Sequence, residues 1–206
     1  DYQLTGSLSQ IALLEYLTKG DAKQNEITFI EGWTFAQLRK ALSEHPAIEN
    51  TITDLSDQEI LQRIGASEVA AEGLFFPDTY YFIKGDRDID VLQRAYQAMQ
   101  NNLQTSWSTR MESLPLTTPY EALILASIIE KETGMENDRA EIAGVFINRL
   151  RKGMRLQTDP TLIYGLGEQF DGNLRKKDLL ADQAYNTYTR AGLPPTPIAL
   201  PGLASI

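Results

Sequence analysis

The sequence of 206 residues contains no cysteine and a single histidine, His45. Without cysteine there is no disulfide, no thiolate metal site and no cysteine nucleophile. A serine–histidine catalytic pair would have to use His45, which precedes Pro46 and is therefore predicted to lie in a loop. The composition leaves carboxylate chemistry, assisted by tyrosine and amide side chains.

Positive charge is also scarce. The chain has 19 lysines and arginines against 28 aspartates and glutamates, a net charge of -9 and a pI of about 4.7. Such an acidic chain lacks the excess of positive charge that binds nucleic acid or anionic lipid. No apolar run reaches the roughly 18 residues of a membrane-spanning helix. We therefore expect no nucleic-acid partner, and a neutral or weakly charged ligand such as a polysaccharide stays open.

The first half of the chain has the signals of a small mixed unit. A strand is predicted over residues 26–30. Thr34 with Gln37, and Ser56 with Glu59, form capping boxes that each predict the start of a helix. A longer helix is predicted from about residue 89 to 103.

An aromatic run over residues 74–82 follows the second of these caps. Aromatic residues are common in buried strands, so the run is interpreted as core strand and turn. Aromatic rings also stack on sugars through their apolar faces, and the wall of a glycan groove is the alternative.

The second half is predicted to be built on helices. Thr118 is an N-cap followed by proline at the first helical position, and an apolar helix runs from it to about Glu132. Asp138 with Glu141 predicts the cap of the next helix, which stops at Gly153. Beyond this glycine we expect irregular structure, and the fold class is α+β.

Two glutamates end the helix that begins at Thr118. Glu132 lies three, four and seven residues after apolar residues, so it is predicted to continue the apolar stripe and to be partly buried, unlike Glu130. Burial favours the neutral acid, which a glycosidic oxygen needs as its proton donor. The alternative is structural, with Glu132 capping the helix or pairing with Arg139 or Arg155.

Further polar residues follow. Gln157 and Asp159 are predicted to lie on an extended or turning segment ahead of proline, where side chains can meet a ligand. Taken alone, the segment favours the structural alternative, a local turn in which Asp159 bonds nearby amides. Asn148 precedes this segment, and Asn186 and Tyr188 offer amide and phenol groups suited to N-acetyl and hydroxyl groups.

In order and spacing, several blocks resemble the endolytic murein transglycosylase, or YceG-like, family. They are residues 31–34, 73–79, 127–133, 145–150, 154–160, 185–188 and 192–195. The resemblance covers nearly the whole chain, and the catalytic glutamate of the family falls on Glu132. Substrate contacts are then expected from Asn148, Gln157, Asp159, Asn186 and Tyr188.

The resemblance implies a lytic transglycosylase of the bacterial inner membrane, held by one N-terminal helix outside this sequence and facing the periplasm. Enzymes of this family cleave the β-1,4 bond between N-acetylmuramic acid and N-acetylglucosamine inside nascent glycan strands. They leave a 1,6-anhydro end and so terminate strand elongation. The implied partners are peptidoglycan strands, with peptidoglycan synthases as further candidates, and no cofactor or metal is expected.

The resemblance also implies a domain division. Residues 1–20 correspond to the tail of a LysM-like module. Residues 21–206 correspond to a mixed, helix-rich catalytic domain cut short at its C-terminal end.

Three other functions stay open. The chain could be a non-catalytic glycan-binding or scaffolding module of the cell-wall machinery. It could be a hydrolase with Asp159 as its second carboxylate. A pyridoxal-phosphate lyase would need a Schiff-base lysine and a phosphate cradle, yet only Lys131 adjoins the candidate site and no glycine-rich loop is present.

Overall fold

The computed structural model describes residues 9–11 and 24–206. The LysM-like tail predicted for residues 1–20 lies outside the described residues, apart from 9–11. Strand β1 (Asn25–Thr28) pairs antiparallel with β2 (Thr79–Phe82), and Ile27 lies opposite Tyr80. The other regular elements in the described part of the chain are helices, which agrees with the α+β class.

The two helices that follow β1 begin at the predicted capping boxes. In α1 (Phe35–Glu44), the Thr34 hydroxyl accepts from the Gln37 amide at 3.3 Å and the Gln37 side chain accepts from the Thr34 amide at 2.8 Å. Ser56 heads α2 (Asp57–Ile64) in the same way. These caps are local interactions, which is why the sequence predicts them.

Two long helices form the middle of the molecule. Helix α3 (Asp88–Ser108) extends five residues beyond its predicted end. Helix α4 (Pro119–Glu132) begins as predicted, with the Thr118 hydroxyl accepting from the Glu121 amide at 3.2 Å.

The predicted cap of the next helix was wrong. Helix α5 (Glu136–Arg151) begins before Asp138, whose amide already donates to the Met135 carbonyl at 3.2 Å. The Thr133 hydroxyl accepts from the Met135 amide at 2.9 Å. This bond closes the turn after α4, so α5 begins before the cap that Asp138 and Glu141 predict.

The expectation of irregular structure beyond Gly153 was also wrong in part. Helix α6 (Asp159–Leu166) and the short α7 (Lys176–Leu180) lie in this region. Pro160 is the second residue of α6, where its missing amide costs no helical hydrogen bond. Pro160, which in the sequence suggests a break in helical structure, therefore lies in the first turn of a helix.

Helix α4 joins two hydrophobic cores. It contributes Leu123 to the core built on β1, β2 and the first three helices, and Ile128 to a second core with Phe146 and Leu156. Because every residue from 123 to 129 is buried, this stretch of α4 is enclosed on all sides. The core interpretation of the aromatic run is confirmed by its most buried side chains, namely Leu74, Phe75, Tyr80 and Phe82.

Candidate active site

The end of α4 places its two glutamates in different surroundings. The Glu130 side chain is 6% exposed, and its Oε1 lies 3.4 Å from Nη2 of Arg139. Its Oε2 accepts from the Gly202 amide at 3.0 Å and from the Ser205 hydroxyl at 2.8 Å. Glu132 is exposed. The prediction that Glu132 is partly buried was therefore wrong, since Glu130 is the buried member of the pair.

This error has a physical reason. Extrapolating one apolar stripe presumes a helix with a single buried side, whereas α4 is buried all round. The helix period then no longer decides which glutamate is covered. The 3₁₀ turn at Leu203–Ser205 packs on α4 and covers Glu130, while the start of α6 approaches Glu132.

Thr158, the N-cap residue of α6, holds Glu132. Its hydroxyl donates a short hydrogen bond to Oε1 of Glu132 and makes no cap to its own helix. Thr158 is 2% exposed, and its amide donates to Oγ1 of Thr187 at 3.1 Å. The Thr161 hydroxyl lies 2.9 Å from that of Thr187 and donates to the Thr158 carbonyl. Buried threonines thus fix the hydroxyl that meets the candidate acid.

Gln157 adjoins this contact and has an unusual backbone. Its φ is 53°, and it is the one non-glycine residue with positive φ in the described ranges. Its amide donates to the Thr187 carbonyl at 3.1 Å, and its side-chain oxygen lies 3.4 Å from Nη1 of Arg149. Such a conformation persists only where the surroundings enforce it. The backbone of Gln157 is therefore held in place, and its exposed side chain projects from a fixed position next to Thr158.

Tyr188 and Asp159 form the other flank. The Tyr188 hydroxyl donates to Oδ1 of Asp159 at 2.5 Å, across 29 residues, so this carboxylate is bound by a distant phenol rather than a local amide. Burial raises the pKa of Tyr188 to about 12, and the carboxylates of Asp159 and Glu132 add to the rise. The phenol is thus a stable hydrogen-bond donor close to Glu132.

Two predicted contact residues do not join this cluster. Asn186 is fully buried, and its side-chain amide donates to three backbone carbonyls at 2.7 to 3.2 Å. Its Oδ1 accepts from the Tyr188 amide at 2.9 Å, so Asn186 shapes the loop that presents Tyr188 and has no exposed amide for a ligand. Asn148 is exposed on α5, and within the described residues no hydrogen bond links it to the Glu132 cluster.

This arrangement has definite chemical capacity. One oxygen of Glu132 is held by a hydroxyl donor, and no lysine or arginine among the described residues forms an ion pair with the carboxyl. A carboxyl group that is accessible and free of a counter-ion can exchange a proton with a bound ligand. The sequence interpretation missed Thr158 and Thr187, although a threonine before Asp159 is a recognisable N-cap signal.

The YceG-like family matches residues 1–206 of this chain. A Bacillus subtilis (strain 168) protein named endolytic murein transglycosylase is 31% identical over 221 residues, which cover 99% of this chain and 61% of that protein. A protein of the same name from Streptococcus pneumoniae serotype 2 (strain D39) is 28% identical over 100% of this chain and 43% of its own length. The chain thus spans less than two thirds of these curated relatives.

A solved structure is also similar. The crystal structure of a yceG-like protein from Listeria monocytogenes matches this fold with a TM-score of 0.68 and 28% sequence identity, covering 99% of this chain and 72% of that one. No helix in the described ranges has the length and apolar character needed to cross a membrane.

Proposed function

Since the chain belongs to the YceG-like family, we propose that it is the catalytic part of an endolytic peptidoglycan lytic transglycosylase. It cleaves the β-1,4 bond between N-acetylmuramic acid and N-acetylglucosamine within nascent strands and leaves a 1,6-anhydro end. Such cleavage terminates strand elongation. The observation that carries the proposal is the accessible Glu132 carboxyl, held by Thr158 at the end of a buried helix and flanked by Tyr188 and Asp159.

Glu132 acts first as an acid. Because Thr158 donates to Oε1, the proton of the neutral carboxyl belongs on Oε2, the oxygen left for the ligand. Transfer of that proton to the glycosidic oxygen makes it a neutral leaving group as its bond to C1 of the muramic residue breaks.

Glu132 then acts as a base. Its carboxylate takes the proton of the muramic C6 hydroxyl as that oxygen bonds to C1, which closes the anhydro ring and restores the acid. No water is consumed, because the substrate supplies its own nucleophile. One carboxyl group is therefore sufficient, whereas glycoside hydrolysis ordinarily uses a pair.

The neighbouring groups orient the strand. Tyr188 keeps its phenolic proton at neutral pH, and its bond to Asp159 fixes both side chains. The Asp159 carboxylate supplies negative charge near the positive charge that develops at C1. We assign the exposed Gln157 side-chain amide to binding an acetamido group of the strand.

The location and partners are proposed from the family resemblance and the substrate. Murein lies outside the cytoplasm, and we place residues 21–206 on the periplasmic side of the inner membrane, anchored by a single-pass helix outside these 206 residues. Peptidoglycan synthases are the proposed protein partners, because nascent strands leave those enzymes.

The test compares Glu132→Gln with Glu130→Gln in the full-length protein, since both remove one charge from the same helix end. Released muropeptides from purified murein are quantified by chromatography, and binding to murein is measured by co-sedimentation. We expect Glu132→Gln to lose at least about 100-fold in cleavage while binding is retained, because a general acid contributes roughly that factor. Glu130→Gln should keep more activity.

Two results would count against the assignment. Near-normal cleavage by Glu132→Gln would show that the acid is another residue. Wild-type protein that binds murein but releases no fragments would support the glycan-binding module instead.

A further inference from the structure

A second carboxyl group, Glu72, lies where the two hydrophobic cores meet. Glu72 is 8% exposed. Its Oε1 accepts from the Phe35 amide at 2.9 Å, and its Oε2 accepts from the Tyr164 hydroxyl at 3.1 Å, across 92 residues. Phe35 belongs to the first core and Tyr164 packs on the second. The acid–base mechanism of Glu132 makes no use of this carboxyl group.

Glu72 borders an open cleft of about 760 Å³. This volume falls within the range of small-molecule sites. The Tyr164 and Tyr185 rings line the cleft with centroids 5.0 Å apart, and the Tyr185 hydroxyl lies 2.8 Å from that of Thr196. Arg39 also lines it but is paired with Asp57 at 2.7 Å. The walls therefore offer aromatic surface and hydroxyl groups with paired charges, which suits a neutral polar ligand.

Glu72 itself is suited to such a ligand. Burial raises the pKa of Glu72 to about 7, against the hydrogen bonds from Phe35 and Tyr164, and the charge of Asp57 adds to the rise. A neutral carboxyl group can donate one hydrogen bond and accept others. Burial likewise raises the pKa of Tyr164 well above its usual range, so its phenol stays a donor. Arg39, on α1, is the cation on the walls and is held by Asp57.

Helix α6 connects this cleft to the Glu132 cluster. Thr158 at its N-cap bonds Glu132, and Tyr164, six residues later, bonds Glu72. Six residues correspond to about 9 Å along a helix axis. The loop of residues 185–188 also links the two sites, since Tyr185 lines the cleft and Tyr188 lies near Glu132. A short oligosaccharide spans such a distance.

We propose that the Glu72 cleft is a saccharide subsite that holds a sugar of the same glycan strand away from the bond cleaved at Glu132. Glu72 and Tyr164 bind its hydroxyl or acetamido groups. The inference rests on the proposed function, because it takes the ligand to be a glycan.

The experiment measures binding of the chitin tetrasaccharide by isothermal titration calorimetry to full-length protein carrying Glu132→Gln, which prevents cleavage. Tyr164→Phe removes the phenolic donor, and Ala36→Trp places a large side chain at an exposed wall position of the cleft. We expect Tyr164→Phe to bind the tetrasaccharide about tenfold more weakly, because a tenfold change in affinity corresponds to the free energy of one hydrogen bond. Ala36→Trp should weaken binding by more than that.

Two matched controls keep the test specific. Tyr96→Phe removes a phenol that donates to Glu68 at 3.0 Å, the same kind of contact outside the cleft. Lys40→Trp introduces the same side chain one turn further along α1, at a residue that does not line the cleft. Both should bind like the parent protein.

The outcomes separate the two proposals. If wild-type protein cleaves murein but neither cleft variant changes the affinity, the subsite is refuted and the proposed function stands. If wild-type protein cleaves no murein and the parent protein binds no tetrasaccharide, both are refuted.

The pH dependence of binding gives a further test of Glu72. The affinity for the tetrasaccharide should fall between about pH 6 and about pH 8, because Glu72 loses its proton, and Glu72→Gln should abolish this fall. An equal fall in Glu72→Gln would contradict the role of Glu72.

Discussion

Removal of the buried Glu130 carboxylate tests how the end of α4 is held. This side chain joins Arg139 of α5 to the chain segment at Gly202 and Ser205. In Glu130→Ala, the Arg139 side chain, which is 11% exposed, loses its counter-ion, and two further donors lose their acceptor.

The magnitude follows from burial. Deleting one member of a buried ion pair costs about 3 to 5 kcal/mol. Because Nη2 of Arg139 is 3.4 Å from Oε1, a loose contact, we expect the lower end, about 3 kcal/mol. For a chain of this size, each kcal/mol shifts the melting temperature by about 2 to 4 °C, so a fall of about 6 to 12 °C is expected.

The assays are urea unfolding, which gives the free energy, and thermal unfolding, which gives the melting temperature, both followed by circular dichroism. Glu44→Ala is the control, because Glu44 forms an exposed pair with Lys40 at 3.7 Å and its loss should change the unfolding free energy by less than about 0.5 kcal/mol. If Glu130→Ala proves as stable as Glu44→Ala, the network does not stabilise the end of α4, and the role assigned to Glu130 is wrong.

Three further predictions concern the site and the cleft. Burial raises the pKa of Glu72 from its ordinary value of 4.5 to about 7 in the folded protein. Protonated Glu72 therefore contributes about 3 kcal/mol of stability below about pH 4.5, and this contribution is lost as the pH rises through 7. Urea unfolding at about pH 5 and about pH 8 should show a smaller loss in Glu72→Gln, and equal losses would contradict the assignment. Gln157→Gly should raise thermal stability by about 0.5 kcal/mol and Gln157→Val should lower it, because the backbone at φ 53° favours glycine; the reverse order would contradict this strain. Thr158→Val should slow murein cleavage about tenfold or more at unchanged circular dichroism, and an unchanged rate would refute its role in holding Glu132.

Local signals account for the parts of the fold that the sequence predicts. The caps at Thr34, Ser56 and Thr118 are hydrogen bonds within four residues, so their partners are visible in the sequence. The start of α5 depends on Thr133, which closes the preceding turn, and helix α6 begins around a proline that suggests a break. The start of α5 was missed because a neighbouring turn decides it. The start of α6 was missed because Pro160 suggests a break, although the first turn of a helix tolerates proline.

The site shows the same division. Glu132 was singled out by spacing and by family resemblance, but its exposure depends on which segments cover the end of α4. Thr158, 26 residues away, reads in sequence as an ordinary helix cap, and only the fold directs its hydroxyl to Glu132. Glu72 carried no sequence signal of its own, because its partner Tyr164 lies 92 residues along the chain.

The end groups of cleaved murein test the central claim most directly. The full-length protein is incubated with purified murein in ¹⁸O-labelled water, and the new ends are identified by mass spectrometry. If Glu132 passes its proton to the leaving oxygen and the C6 hydroxyl attacks, the new ends are 1,6-anhydro-muramic residues without ¹⁸O. Reducing ends that carry ¹⁸O would contradict this mechanism, because water would then be the nucleophile and the protein a hydrolase that uses Glu132 with Asp159.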